Sequence, residues 1–193
     1  MRAYHIKSQA NKEFRGEEFS DLSFSGCSFH ECLFVNCHFS ACTMAQAILM
    51  ECSFKHCGFS LVSLDGCRLQ NVRFEDCKLV GLEFHKCDKT FFCVTFQQSI
   101  LMACNFSELK MKKTSFSHSK LKECYFNSTQ LLESNFQQTD LAGTLFHHCD
   151  LSKTDFRGAI NYAIDPQTNN LKKAVFSSPE VLALLSFFDI KIE

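Results

Sequence analysis

Residues 24–44 read FSGCSFHECLFVNCHFSACTM, with Phe24, Phe29, Phe34, Phe39 and Met44 five apart. A helix repeats about every 3.6 residues and a strand about every 2, so this period belongs to neither. Outward from the quoted stretch, the large residue recurs at Leu49, Phe54, Phe59, Leu64, Leu69, Phe74, Leu79 and Phe84. The register then slips by two residues, and the period resumes at Phe91 and holds to Phe156. Self-similarity at a fixed period marks a solenoid whose units stack on one another.

Cysteine follows the same rule. Of 13 cysteines, Cys27, Cys32, Cys37, Cys42, Cys52, Cys57, Cys67, Cys77, Cys104, Cys124 and Cys149 each stand two residues before a large central residue. Elsewhere that slot holds Ala47, Val62, Val72, Val94, Ser99 or a run of serines and threonines from Thr114 to Thr154. The slot therefore takes small or β-branched residues, with cysteine used as a small hydrophobe. No C-x-x-C pair occurs and the count is odd, which argues against zinc and against a disulfide framework. Cys87 and Cys93 flank the slip, off the pattern, and are the candidates for exposure.

Two inward and three outward positions per five describe a short straight segment followed by a corner. Cys-Ser-Phe-His-Glu (27–31), Thr-Asp-Leu-Ala-Gly (139–143) and Thr-Asp-Phe-Arg-Gly (154–158) show the unit in full. On these residues the chain resembles the pentapeptide-repeat family over about 135 of its 193 residues. The resemblance implies an all-β, right-handed quadrilateral β-helix of about seven coils, with four pentapeptides per coil. Every fourth unit then stacks about 4.8 Å above its predecessor. If the two extra residues bulge outward, Phe34, Phe54, Phe74, Phe96, Phe116, Phe136 and Phe156 form one column. Phe24, Met44, Leu64, Phe84, Phe106, Phe126 and Phe146 form the opposite one. The expected organisation is a lead-in over 1–18, the β-helix over 19–158 and a cap over 159–193. A bulge at Lys86, Cys87, Asp88 and Lys89 interrupts the helix.

After Gly158 the period fails. Asp165-Pro166 signals a turn, and Lys172 to Phe176 offers one last strand. Ser177-Ser178-Pro179-Glu180 has the spacing of a capping box before a short apolar helix. Val181, Leu182, Leu184, Leu185 and Phe188 on that helix are expected to cover the open sheet edge and to join two copies. The ending is similar to that of the topoisomerase-interacting Qnr, MfpA and McbG types within the family, which dimerise head to head.

Formal net charge is −1. Acidic residues lead by 11 to 7 over 12–88, and basic ones by 8 to 6 over 89–158. This balance signals no polyanion-binding role, so direct nucleic-acid binding is not expected. Nor is a membrane contact, a small-molecule substrate, a cofactor or a metal, and the expected location is cytoplasmic. Phosphate loops, dinucleotide fingerprints and hydrolase elbows are missing from the sequence, so an enzyme is not expected. His147-His148 point outward while Cys149 points inward, which leaves that trio a solvated pair beside a core residue.

What remains is binding. The resemblance implies a DNA-mimicking partner of DNA gyrase or topoisomerase IV that protects against an antibiotic or toxin. The alternative is a scaffold for a different protein, contacting it through an apolar strip of Leu61, Val80, Ile100 and Met102. Against mimicry, Lys110, Lys112, Lys113, Lys120 and Lys122 interrupt any acidic stripe.

Overall fold

The computed structural model describes residues 2–3 and 7–191. The chain winds into a right-handed, four-walled parallel β-helix. On the first wall lie Ser8–Ala10, Ser28–His30, Ile48–Met50 and Arg68–Gln70. The second carries Glu13–Arg15, Leu33–Val35, Ser53–Lys55, Val72–Glu75 and Val94–Gln97. The third runs from Glu18–Ser20 through six paired strands to Lys120–Lys122. The fourth carries the bridges Ser23↔Thr43 and Thr43↔Ser63, and lower down Tyr125–Asn127, Leu145–His147 and Ala163–Ile164.

Registers confirm the twenty-residue coil. Phe54 lies opposite Phe34 and Phe74 in the ladder. Across the slip the offset becomes 22, with Val72 opposite Val94. The corners put their last residue in the left-handed region, for example Glu51 at φ 56° and Leu61 at φ 55°. That conformation costs a non-glycine residue about 1–2 kcal/mol. The inter-coil bonds it directs offset the cost, as when Glu51 N–H donates to the Gln70 carbonyl at 2.9 Å.

Inside, the phenylalanine column of the second wall is longer than the repeat foretold. It starts at Phe14 and ends at Phe176, nine rings high. Neighbours stack 4.7 Å apart at Phe14–Phe34 and 5.0 Å at Phe156–Phe176, with planes 7° and 5° apart. The opposite column meets it edge-on, as at Phe96–Phe106 (5.8 Å, 76°) and Phe116–Phe126 (5.7 Å, 87°). Offset stacking along each wall and edge-to-face contact between them are the two arrangements that ring quadrupoles favour. Each buried Phe or Leu contributes roughly 1.5–3 kcal/mol, which offsets the ordering of the short strands.

Coiling begins before residue 19. Ser8–Ala10 and Glu13–Arg15 already pair with the coil below, and Gln9 and Phe14 take the central positions. It also continues beyond residue 158, where Val175–Phe176 pairs with Asp155–Phe156.

The slip differs in detail from the period count. Phe91, expected as a buried centre, is 52% exposed, and Phe92 is buried in its place, 6.2 Å edge-on from Phe84. Lys86 keeps an ordinary corner place, its carbonyl accepting from Gly66 N–H at 2.8 Å. Cys87 is buried in the slot below Cys67, and only Cys93 is exposed. The excursion is therefore Asp88 to Phe91. Asp88 holds it by accepting from Thr90 N–H at 2.9 Å and from the Arg68 guanidinium at 3.2 Å. These bonds, first that to Thr90, keep the Asp88 carboxyl below the usual carboxylate range.

The tail forms a 3-10 helix, Glu180–Phe187, without the capping box. Ser177 does something else. In the rungs above, a corner N–H donates to a carbonyl 19 residues on, as Gln138 does to Arg157 at 3.0 Å. In the last rung Gly158 N–H donates to the Ser177 hydroxyl at 2.9 Å. The Ser177 carbonyl is thereby left to accept from Val181 N–H at 3.0 Å and start the helix. Among the described residues no helix is long and apolar enough to cross a membrane.

Candidate interaction surfaces

A β-helix presents only three of every five residues, so its sites are patterns on walls. On the third wall, Val80 pairs with Met102 and Lys78 with Ile100, on the two flanks of the buried Leu79–Leu101 column. Ile100 is 38% exposed and Met102 37%, while Val80 is half-buried. Leu61 is 79% exposed because it occupies a corner rather than the wall itself. The four expected residues thus share one side of the rod without forming one column. Lys78 and Lys120 bound Ile100 above and below in its own column. Nearby, Gly58 lacks a side chain beside His38, and a recess forms between Phe59, Lys78 and Val80.

The C-terminal end is the second surface. Ala183 and Leu184 pack on the end of the core, and Val181 and Leu185 are half-buried. Leu182 (49%), Phe187, Phe188 (41%) and Ile190 are exposed. Of the residues expected to join two copies, Leu182 and Phe188 therefore face outward, whereas Leu184 serves the cap. Gln167 Nε2 donates to the Phe187 carbonyl at 3.3 Å and ties the helix to the preceding turn.

Charge is mixed. Glu133 accepts from Lys153 at 2.8 Å and pairs with Lys113 at 3.6 Å, which holds its carboxyl below the usual range. Lys55 pairs with Glu75 and Lys89 with Glu108. Among the described residues no wall carries an unbroken acidic column. His147 and His148 lie ring to ring at 3.9 Å, and His147 Nδ1 meets Asn127 Oδ1, while Cys149 is buried. No group of three or more His, Cys, Asp or Glu side chains fit to hold a metal occurs among the described residues.

The buried cysteines have a role that composition did not reveal. Cys52 Sγ donates to the carbonyls of Phe29 and Met50, both at 3.4 Å. Thr129 Oγ1 makes the same pair of contacts with Phe106 (3.0 Å) and Asn127 (3.4 Å). Asn169 fills the slot near the end, donating to Phe146 and accepting from Cys149 N–H at 2.9 Å.

Two family models cover most of the chain. The pentapeptide repeat region model matches residues 27–102, and the model of eight pentapeptide repeats matches 99–137 and 124–160. A comparison with curated proteins gives no match. Among solved structures, a trypsin-treated form of QnrB1, a plasmid-mediated fluoroquinolone resistance protein, aligns with a TM-score of 0.81 at 14% identity, covering 97% of this chain and 98% of that one. A second trypsin-treated form of QnrB1 aligns at 0.68 and 17%, covering 97% and 99%. HetL of Nostoc sp., involved in heterocyst differentiation regulation, aligns at 0.56 and 12%, covering 89% and 87%.

Proposed function

This chain belongs to the pentapeptide-repeat family, and we propose that it is a non-enzymatic binding rod whose partner is a type II topoisomerase, DNA gyrase or topoisomerase IV. One observation carries the reading. The superposition on the fluoroquinolone resistance protein runs end to end, 97% of one chain on 98% of the other. The two chains therefore share the β-helix fold over nearly their whole lengths, and coils stacked about 4.8 Å apart make this rod about 40 Å long. Shape of this kind is what a rod offers a partner whose own groove is long and open. Flat walls with no metal-holding cluster of side chains among the described residues suit recognition better than turnover.

The mode differs from plain DNA mimicry. With acidic residues paired to lysines on several walls, an even negative field is missing, and the third wall supplies apolar contact instead through Ile100, Met102 and Val80. Two copies joined through Leu182 and Phe188 would double the rod. The test is gyrase supercoiling and fluoroquinolone-induced DNA cleavage with added protein. At micromolar concentration the protein is expected to change one or both, and Ile100→Asp to abolish the change. No effect on either activity contradicts the topoisomerase reading. The exposed apolar side chains of the third wall favour a second reading, a scaffold for another protein, in which Ile100→Asp disrupts that complex and leaves gyrase untouched.

A further inference from the structure

The slip in the repeat places an aromatic ring beside lysines that are far apart in sequence. In the lower half of the first wall, Lys110, Gln130, Asp150 and Asn170 form one bridged column. Lys112 flanks that column, and Lys172 lies on the same wall three coils lower. Lys113, Glu133, Lys153 and Lys173 mark its corner, each in the left-handed region. Glu133 engages Lys113 and Lys153. Lys110, Lys112, Lys172 and Lys173 are exposed and have no acidic partner among the described residues. Above them the excursion Asp88 to Phe91 overhangs the wall. A recess of about 320 Å³ there is lined by Lys89, Phe91, Phe92 and Lys110 among others. The Arg68 guanidinium lies 5.6 Å from the Phe91 ring centre, yet half of that residue stays open to solvent.

We propose that this wall binds single-stranded nucleic acid, with a base lodged in the recess against Phe91 and the phosphate backbone running down the unpaired lysines. Cations that follow a backbone beside an aromatic ring are the recurring means of holding a single strand. A base paired within a duplex cannot enter the recess, so the ring selects single strands, while the lysines supply attraction irrespective of sequence. Net charge conceals this surface, because the acidic residues that balance these lysines lie mostly on other walls and in upper coils. The proposal is independent of the topoisomerase reading.

Fluorescence anisotropy of a labelled oligo-dT, with a matching duplex and polyglutamate as competitors, tests it. Four lysines neutralising phosphates of a single strand give a salt slope of about −3, so affinity should fall about fifty-fold between about 50 and about 200 mM salt. Lys110→Glu with Lys112→Glu should weaken binding at least about tenfold at low salt and flatten the slope by about 1.4. Lys120→Glu with Lys122→Glu, the same charge change on the opposite wall, should leave affinity within about twofold. Phe91→Ser should cost about fivefold or more for the single strand only. Equal loss from the two lysine pairs, no effect of Phe91→Ser, stronger competition by polyglutamate or duplex than by unlabelled oligo-dT, or no binding at all would each overturn the proposal. Thermal melts of the variants identify any loss that comes from unfolding.

Discussion

Cys52 and Thr129 stand in coils of opposite halves of the rod and make the same two hydrogen bonds, to carbonyls 23 and 2 residues back. The slot before each central residue therefore selects for small volume and, where it can, for a donor. Size was legible from the Ala, Val, Cys, Ser and Thr that fill it. The donor was not, because cysteine and valine read alike as small hydrophobes until the carbonyls beneath them are placed. Cys52→Ser should shift stability by no more than about 1 kcal/mol, since the bond is kept. Cys52→Leu overfills the slot and should cost about 1–3 kcal/mol or more. Urea midpoints of both variants give the comparison. Burial also pushes the Cys52 thiol up to about 11 and the Cys67 thiol up to about 12, from 9.0. Above pH 9 the unfolded chain releases protons that the folded chain keeps, so the unfolded state binds fewer and stability falls as pH rises. The loss begins near 9 and continues to the folded values, at up to about 1.4 kcal/mol per pH unit for each thiol. The urea midpoint should drop between pH 8 and pH 10.5, and less steeply in Cys52→Ser with Cys67→Ala. A midpoint independent of pH over that range would contradict the assignment.

At the scale of elements, the repeat was legible wherever the period was uninterrupted, and it blurred at three places for separate reasons. The first coil was hidden because its opening central residue is Gln9, a buried polar side chain, although Phe14 and Phe19 continue the count backward. At the slip, counting by five chose Phe91. The loop instead turns on the contacts of Asp88 with Thr90 and Arg68, which swing Phe91 out and Phe92 in. In the tail, Ser177 had the spacing of a helix cap, yet its hydroxyl closes the last rung of the ladder. The helix beyond it turns Leu184 to the core and Leu182 and Phe188 away. On the dimer reading, Leu182→Asp with Phe188→Asp should give half the mass of the parent chain in light scattering and leave its melting temperature nearly unchanged. A parent chain that already runs as a monomer, or a variant of unchanged mass, would contradict the dimer.

For the whole molecule, the twenty-residue coil fixes what the surface can be: four flat walls and four corners, with the apolar patch of Val80, Ile100 and Met102 on the third wall opposite Lys110, Lys112 and Lys172 on the first. Walls are not legible from local sequence, because Lys110 and Lys172 share one only through the offset of 20 that stacking imposes. The DNA-mimic expectation drew on the family resemblance, and the charge counted along the chain spoke against it; a partner meets that charge wall by wall. On the proposed reading, the apolar residues exposed on the rod are what meet the partner. The direct measurement is sedimentation velocity of the fluorescently labelled protein with DNA gyrase. At micromolar concentration the label should move with the enzyme, and Ile100→Asp should return it to the rate of the free rod. A label that sediments at the free rate at every gyrase concentration would contradict the central claim.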